Sequence, residues 1–202
     1  MKKVFCLLIT VYCILFTARA QRLLDSTLLS HEHEYKSLQE ALANPDSVHK
    51  LSLKRQKLTT IPEEVYSFPY LQELNLANNK IKALPPEISK LKNLSYLNIS
   101  KNQLETFPKE IGELTKLQTL VASENDELSS LPPEMSKMEK LTYFDIWGTS
   151  ISEFPEEMGK MKNLMWIDLR TINITKDERD EIEKLFPDAK IYMSDGCNCG
   201  GP

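Results

Sequence analysis

The feature that most restricts this chain is a repeat of 23 residues. Segments beginning at Val48, Leu71, Leu94, Leu117, Leu141 and Leu164 follow one another at spacings of 23, 23, 23, 24 and 23. Each opens on apolar, two variable, apolar, one variable, apolar: Val48/Leu51/Leu53, Leu71/Leu74/Leu76, Leu94/Leu97/Ile99, Leu117/Leu120/Ala122, Leu141/Phe144/Ile146 and Leu164/Ile167/Leu169. Three positions after the third apolar residue stands Asn79, Asn102 or Asn125; Gln56, Thr149 and Ile172 take that place in the first, fifth and sixth units. An apolar residue follows two later (Leu58, Ile81, Leu104, Ile151, Ile174), and the fourth unit, one residue longer, uses Leu128. The second half repeats too. Ile61-Pro62, Leu84-Pro85, Phe107-Pro108, Leu131-Pro132 and Phe154-Pro155 share one offset, each followed two residues on by Glu64, Glu87, Glu110, Glu134 or Glu157.

The opening of each unit alternates with period two over its last positions, which predicts a short strand with one buried face. One such strand cannot bury its apolar side alone. Stacked copies build a continuous core and pair each strand with the next. The Asn predicts a structural role, because its amide carries donor and acceptor and can satisfy backbone where the chain leaves the strand. Pro-x-Glu predicts the start of a short helical segment, with proline near its first position and an acid at its positive end.

These residues resemble the leucine-rich-repeat family, pattern LxxLxLxxNxL, over roughly residues 48–190. The LPxEIxxLxxL half looks like the subclass of Ras-binding scaffolds and plant intracellular repeat proteins. The resemblance implies an α/β fold: a right-handed solenoid of about six repeats with a parallel concave sheet and helical caps at both ends. It also implies an interaction module without catalytic machinery.

The ends need caps, since an open solenoid exposes its core. Glu34 to Asn44 predicts an amphipathic helix with Tyr35, Leu38, Ala41 and Leu42 inward, stopped by Pro45. At the other end Thr175 and Glu178 predict a capping box. A helix to about Phe186 follows, with Ile182, Leu185 and Phe186 inward, and Lys190 to Met193 predicts a last strand. Residues 34–193 are thus one domain, with a loose leader over 21–33 and a loose, cysteine-bearing tail over 194–202.

Residues 1–20 have the grammar of a secretory signal peptide: Lys2 and Lys3, the uncharged apolar run Val4 to Phe16, and Ala18-Arg19-Ala20. The expectation is an exported protein, in periplasm, on the cell surface or in the medium. Loss of Lys2, Lys3 and Arg19 leaves 22 basic residues against 29 acidic, a balance that disfavours nucleic acid and anionic membranes. No membrane insertion is expected after signal removal. Only Cys197 and Cys199 would remain of four cysteines, so no disulfide framework supports the fold. The sequons at Asn93, Asn98 and Asn173 would matter only in a host that glycosylates exports. Asn98 would carry its glycan on the concave face, which favours a bacterial exporter.

In this family's geometry the third, fifth and seventh positions of each unit project from the concave sheet. The third column is Lys50, Glu73, Tyr96, Thr119, Tyr143, Trp166; the fifth Ser52, Asn75, Asn98, Val121, Asp145, Asp168; the seventh Lys54, Ala77, Ser100, Ser123, Trp147, Arg170. Aromatics there are not explained by the core, and Trp, Tyr and Arg dominate binding hot spots. Tyr96, Tyr143, Asp145, Trp147, Trp166, Asp168 and Arg170 are therefore the candidate partner-binding residues. The competing reading is that the cap or tail covers the tryptophans.

Other motifs carry less. His31-Glu32-His33-Glu34 lacks the i, i+4 spacing that puts two histidines on one helix face, so an exposed polar leader is favoured over a metal site. Cys197-Asn198-Cys199 fills half a zinc shell at most. No nucleophile elbow, P-loop or dinucleotide turn occurs. Asp145 and Asp168, one repeat apart, have a spacing that would suit a retaining glycosidase, but an open sheet face encloses no pocket. The expectation is a non-enzymatic module, without cofactor or metal, that binds a protein or a glycan. The alternative is an envelope-associated structural protein that self-associates, with Cys197 and Cys199 as a route.

Overall fold

The computed structural model describes residues 23–170, 172 and 175–193. Residues 1–20, expected to be a signal peptide, the tail with Cys197 and Cys199, and Asn173 lie outside the described residues.

Eight parallel strands form one open sheet in chain order: β1 Glu34–Tyr35, β2 Lys50–Ser52, β3 Glu73–Asn75, β4 Tyr96–Asn98, β5 Thr119–Val121, β6 Tyr143–Asp145, β7 Trp166–Leu169 and β8 Lys190–Met193. Each unit of the repeat supplies one strand, and each cap adds another. Register follows the repeat, so Leu51, Leu74, Leu97, Leu120, Phe144, Ile167 and Ile191 form one row across β2 to β8. The first six of these are buried. The architecture is the α/β solenoid that the repeat predicts.

The return half of each of the first five units is a single 3₁₀ turn: Glu63–Ser67, Pro86–Lys90, Lys109–Glu113, Pro133–Lys137 and Glu156–Lys160. The conserved-offset prolines Pro62, Pro85, Pro108, Pro132 and Pro155 sit at the N-cap, one step earlier than expected. Val65, Ile88, Ile111, Met135 and Met158 point inward and are fully buried. Leu128 is buried as well, so the extra residue of the fourth unit is absorbed ahead of it.

The three asparagines form a ladder between units. Asn102 Nδ2 donates to the carbonyls of Leu76, Ile99 and Ser100, and its Oδ1 accepts from the Ile81 N–H. Asn79 and Asn125 repeat the pattern one unit to either side. A buried backbone group without a partner is costly, and each Asn satisfies several at once. Thr149 is shorter and reaches only the Ile146 carbonyl.

One residue after the seventh position of each of the first five units the backbone is left-handed: Arg55, Asn78, Lys101, Glu124 and Gly148, with φ between 54° and 66°. Their N–H groups donate to the carbonyls of Ala77, Ser100, Ser123, Trp147 and Arg170 in the next unit. The conformation is unfavourable for residues other than glycine, and the inter-unit ladder it preserves offsets it.

The N-terminal cap differs from the expectation. Glu34–Tyr35 is a strand paired with Lys50 and Leu51, not the first turn of a helix. The Ser37 side chain accepts from the Glu40 N–H and so starts the helix α2 only at Leu38–Leu42. Ala41 is fully buried, whereas Leu42 is exposed. A two-residue strand covers the edge of β2, whose backbone groups would otherwise stand unpaired. The leader also packs on the domain. Asp25 caps a short helix α1, Ser26–Ser30, and Leu24 and Leu29 are buried. Leu24 exchanges two hydrogen bonds of 2.8 Å with the Gln72 amide. At the C-terminus α3, Lys176–Leu185, opens on the Thr175/Glu178 capping box; Ile182 and Phe186 are buried and Leu185 half-buried, ahead of β8.

Candidate functional site

The core takes one face of the sheet and leaves the other to the third and fifth columns. At the N-terminal end that face is already in use. Lys50 Nζ lies 3.2 Å from Glu73 Oε2 and 3.5 Å from the Leu29 carbonyl of the leader. At the C-terminal end it is open among the described residues. Pairing of β6 with β7 sets Tyr143 beside Trp166 and Asp145 beside Asp168. Pairing of β7 with β8 sets Lys190 beside Trp166 and Tyr192 beside Asp168.

The structure therefore brings six of the seven expected residues onto two neighbouring units. Tyr96 stands apart on β4, separated by Thr119, and its hydroxyl accepts from Asn98 Nδ2 at 3.2 Å. Lys190 and Tyr192, which are not among the seven expected residues, lie beside them on the same face. The last strand was anticipated, and its alternation with β7 carried the signal. The Trp166 and Tyr192 rings stack at 5.8 Å with 10° between planes, and Lys190 Nζ lies 5.0 Å from each ring centre. The cap strand thus contacts Trp166 from the side without covering it. Tyr143, Trp166 and Tyr192 each remain 37% exposed, while Trp147 is half-buried.

The two aspartates differ. Asp168 is buried, and Arg170 grips it with Nε at 2.9 and 3.1 Å and Nη2 at 2.7 Å. The Arg170 N–H also donates to its Oδ1. Asp145 is half-buried and holds only neutral donors: the Ser123 hydroxyl at 3.0 Å on Oδ2 and the Trp147 N–H at 3.1 Å on Oδ1. Burial pushes its carboxyl above the ordinary range; the two hydrogen bonds oppose that, and the Asp168 charge adds to it. The Tyr143 hydroxyl is raised by burial first, then by Asp145 and Asp168.

A carboxyl whose folded pKa is raised destabilises the fold in its charged form, so stability falls as pH rises through the window between the unfolded and folded values. Asp145→Asn removes that charge. Its amide keeps both partners, because a serine hydroxyl can accept as well as donate. The variant is expected to melt above the parent at pH 7. The gap is expected to close as pH falls towards about 4, where a free carboxyl protonates. Thermal melts of both proteins across that range check it; an unchanged gap at both ends would contradict the cause given.

The histidine run has structural partners. His33 Nε2 lies 2.9 Å from Glu40 Oε1, which holds the Glu40 carboxyl below its usual range, and the ring stands edge-on to Tyr35 at 4.7 Å. His31 Nδ1 lies 2.9 Å from the Thr27 carbonyl. Among the described residues no three His, Cys, Asp or Glu side chains gather as a metal site would.

Comparison with known families agrees with the repeat geometry. The family profile described as leucine-rich repeat region matches residues 22–142, well over half of the chain. The chain belongs to the leucine-rich-repeat family. The fold of this family is generally a recognition scaffold rather than an enzyme. Curated proteins include no significant match. Among solved structures, this leucine-rich-repeat chain is similar to a leucine-rich-repeat protein of Leptospira interrogans, with 29% identity and a TM-score of 0.64 over 80% of this chain and 46% of the other. It is also similar to the plant peptide hormone receptor RGFR1, solved with RGF2: 28% identity, TM-score 0.55, over 70% of this chain and 23% of the receptor. The leucine-rich-repeat ectodomain of the Arabidopsis thaliana membrane receptor kinase GASSHO1/SCHENGEN3, solved with Casparian strip integrity factor 2, shares the fold at 24% identity and a TM-score of 0.61. That likeness covers 79% of this chain and 20% of the ectodomain. The chain spans less than half the length of each of these proteins. No helix among the described residues is long and apolar enough to cross a membrane.

Proposed function

We propose that this leucine-rich-repeat protein is an exported recognition module that binds a protein partner on the open sheet face formed by β6, β7 and β8. The observation that carries the reading is the set of large rings left exposed there, Tyr143, Trp166 and Tyr192, on a face whose other end is taken by the leader. Exposed aromatics on a rigid sheet lose little entropy on binding and supply much contact area. A relative of the same fold, the plant peptide hormone receptor RGFR1, was solved with RGF2, which supports a protein or peptide over a glycan as occupant. Export rests on the signal-peptide grammar of residues 1–20.

Catalysis at Asp145 and Asp168 is disfavoured by the site's own bonding. Asp168 is committed to Arg170. Among the described residues, two concavities are lined elsewhere, one by Phe154, Ile182 and Leu185 and one by Ile61, Tyr66 and Pro85.

The test is capture from envelope and growth medium of the source organism. The protein lacking residues 1–20 is compared with Trp147→Ala/Trp166→Ala after both are shown to melt cooperatively. The parent is expected to retain a partner that the double variant captures roughly tenfold less or worse, as for two hot-spot residues. Equal capture by both would overturn the placement of the site.

A further inference from the structure

We infer that the partner inserts an arginine side chain into this site, its guanidinium seated on the Asp145 carboxylate. The inference rests on the reading of the sheet face given above and adds the chemistry of what docks there.

The protein contains its own precedent. Asp145 and Asp168 occupy the same column on neighbouring strands, directly paired in register. Both accept the N–H of the residue two positions on, Trp147 and Arg170. In the sixth unit that residue is arginine, and its guanidinium closes sideways on the carboxylate. In the fifth unit it is tryptophan, so no cation is supplied, and among the described residues Asp145 forms no ion pair. Arg170 lies near enough to favour the charged form of Asp145, but its Nε and Nη2 donate to Asp168.

The bonding left open on Asp145 suits a planar fork. A carboxylate oxygen accepts about two hydrogen bonds. Oδ1 has used one on the Trp147 N–H and Oδ2 one on the Ser123 hydroxyl. One acceptor position remains on each oxygen, the arrangement a guanidinium satisfies bidentately and an ammonium cannot. The walls agree. Tyr143 lies two residues back on the same strand face, with Trp166 beside it, and aromatic faces attract a guanidinium. The neighbouring rings already do this for an internal cation, Lys190 over Trp166 and Tyr192. The half-buried, cation-free carboxylate is costly in the free protein and is relieved when an arginine arrives.

The probes are acetyl-Gly-Gly-Arg-Gly-Gly-amide and its citrulline and lysine counterparts, citrulline being neutral and nearly isosteric with arginine. The readout is the pair of indole N–H resonances, since the sequence holds two tryptophans. The arginine peptide is expected to shift an indole signal with a Kd about tenfold or more below that of the citrulline peptide, the size of one charge-assisted contact. The lysine peptide is expected to fall between them. Asp145→Asn is expected to erase the difference between arginine and citrulline. Equal titrations of the parent by arginine and citrulline, no shift with any peptide, or an arginine preference that survives in Asp145→Asn would each overturn the inference. The parent comparison needs no variant and so cannot be lost to misfolding. Capture of a partner that depends on Trp147 and Trp166, with no arginine preference, would leave the site in place and remove only its arginine.

Discussion

Gly112→Ala is expected to lower the unfolding free energy by roughly 2–3 kcal/mol, about 5–10 °C in melting temperature for a chain of this length. Gly112 lies in the third of these 3₁₀ turns, Lys109–Glu113, buried against the fourth, Pro133–Lys137. A Cβ placed on it would stand 2.1 Å from the Glu134 carbonyl oxygen and 2.7 Å from its carbon. Those are backbone atoms and cannot swing aside, so one turn must move off the other and open the core beneath Ile111 and Met135. The same offset carries Ser89 and Ser136 in other turns, so the position does not itself demand glycine. The close approach of these two turns does. Gly159→Ala is the control. Its Cβ would meet Leu185 Cδ1 at 2.8 Å, the movable end of a side chain, and its cost is expected to be about 1 kcal/mol or less. Chemical denaturation of the three proteins side by side checks the order; equal losses would show that the clash is not what fixes Gly112.

The difference between those two glycines could not be read from the sequence. Both follow a buried apolar residue, Ile111 or Met158, in matching turns. What could be read was everything that the period repeats: the strand at each LxxLxL, the inward rows, the bonding role of Asn, and the capping box at Thr175. These are legible because each recurs, or because a local rule links residues three or four apart. Features made by two segments meeting once were not. The strand Glu34–Tyr35 exists because β2 has an open edge, and its own residues fit helical spacing equally well. Leu24 and Leu29 are buried because Gln72, 48 residues on from Leu24, takes both of the Leu24 backbone groups. At the site the same division holds. Alternation placed Tyr143, Asp145, Trp166 and Asp168 on one face, and pairing of β6 with β7 puts them side by side. The contrast between a paired Asp168 and a cation-free Asp145 depended on where one guanidinium turned, which spacing does not say. The left-handed residues Arg55, Lys101 and Glu124 were equally hidden, since only Gly148 and Asn78 among the set advertise the conformation.

Asn102→Ala should be more damaging than any truncation of the aromatic face. The Ile81 N–H loses its partner, and the Leu76, Ile99 and Ser100 carbonyls each lose one of two donors, keeping Asn79 Nδ2, Asn125 Nδ2 and the Asn78 N–H. The site is buried and surrounded by leucine and isoleucine, so water cannot replace the amide without opening the stack. With about 1–3 kcal/mol for the stranded N–H and a smaller loss at each carbonyl that drops to one donor, the cost is expected to be roughly 2–4 kcal/mol. Asn102→Asp keeps the shape and the acceptor for Ile81, yet turns an oxygen towards three carbonyls. At neutral pH it is expected to unfold the protein at least as readily as alanine does. Because a solenoid is held by nearest-neighbour contacts, the break falls between the units flanking Asn102. Both tryptophans lie beyond it, in the fifth and sixth units. Far-ultraviolet ellipticity and tryptophan fluorescence are therefore expected to coincide in the parent and to separate in Asn102→Ala, with fluorescence the later transition. Coincident curves with a small loss would mean that the asparagine ladder is not what locks neighbouring units together. Separation would show that the units carrying Tyr143, Trp166 and Tyr192 stay folded after the stack has broken at Asn102.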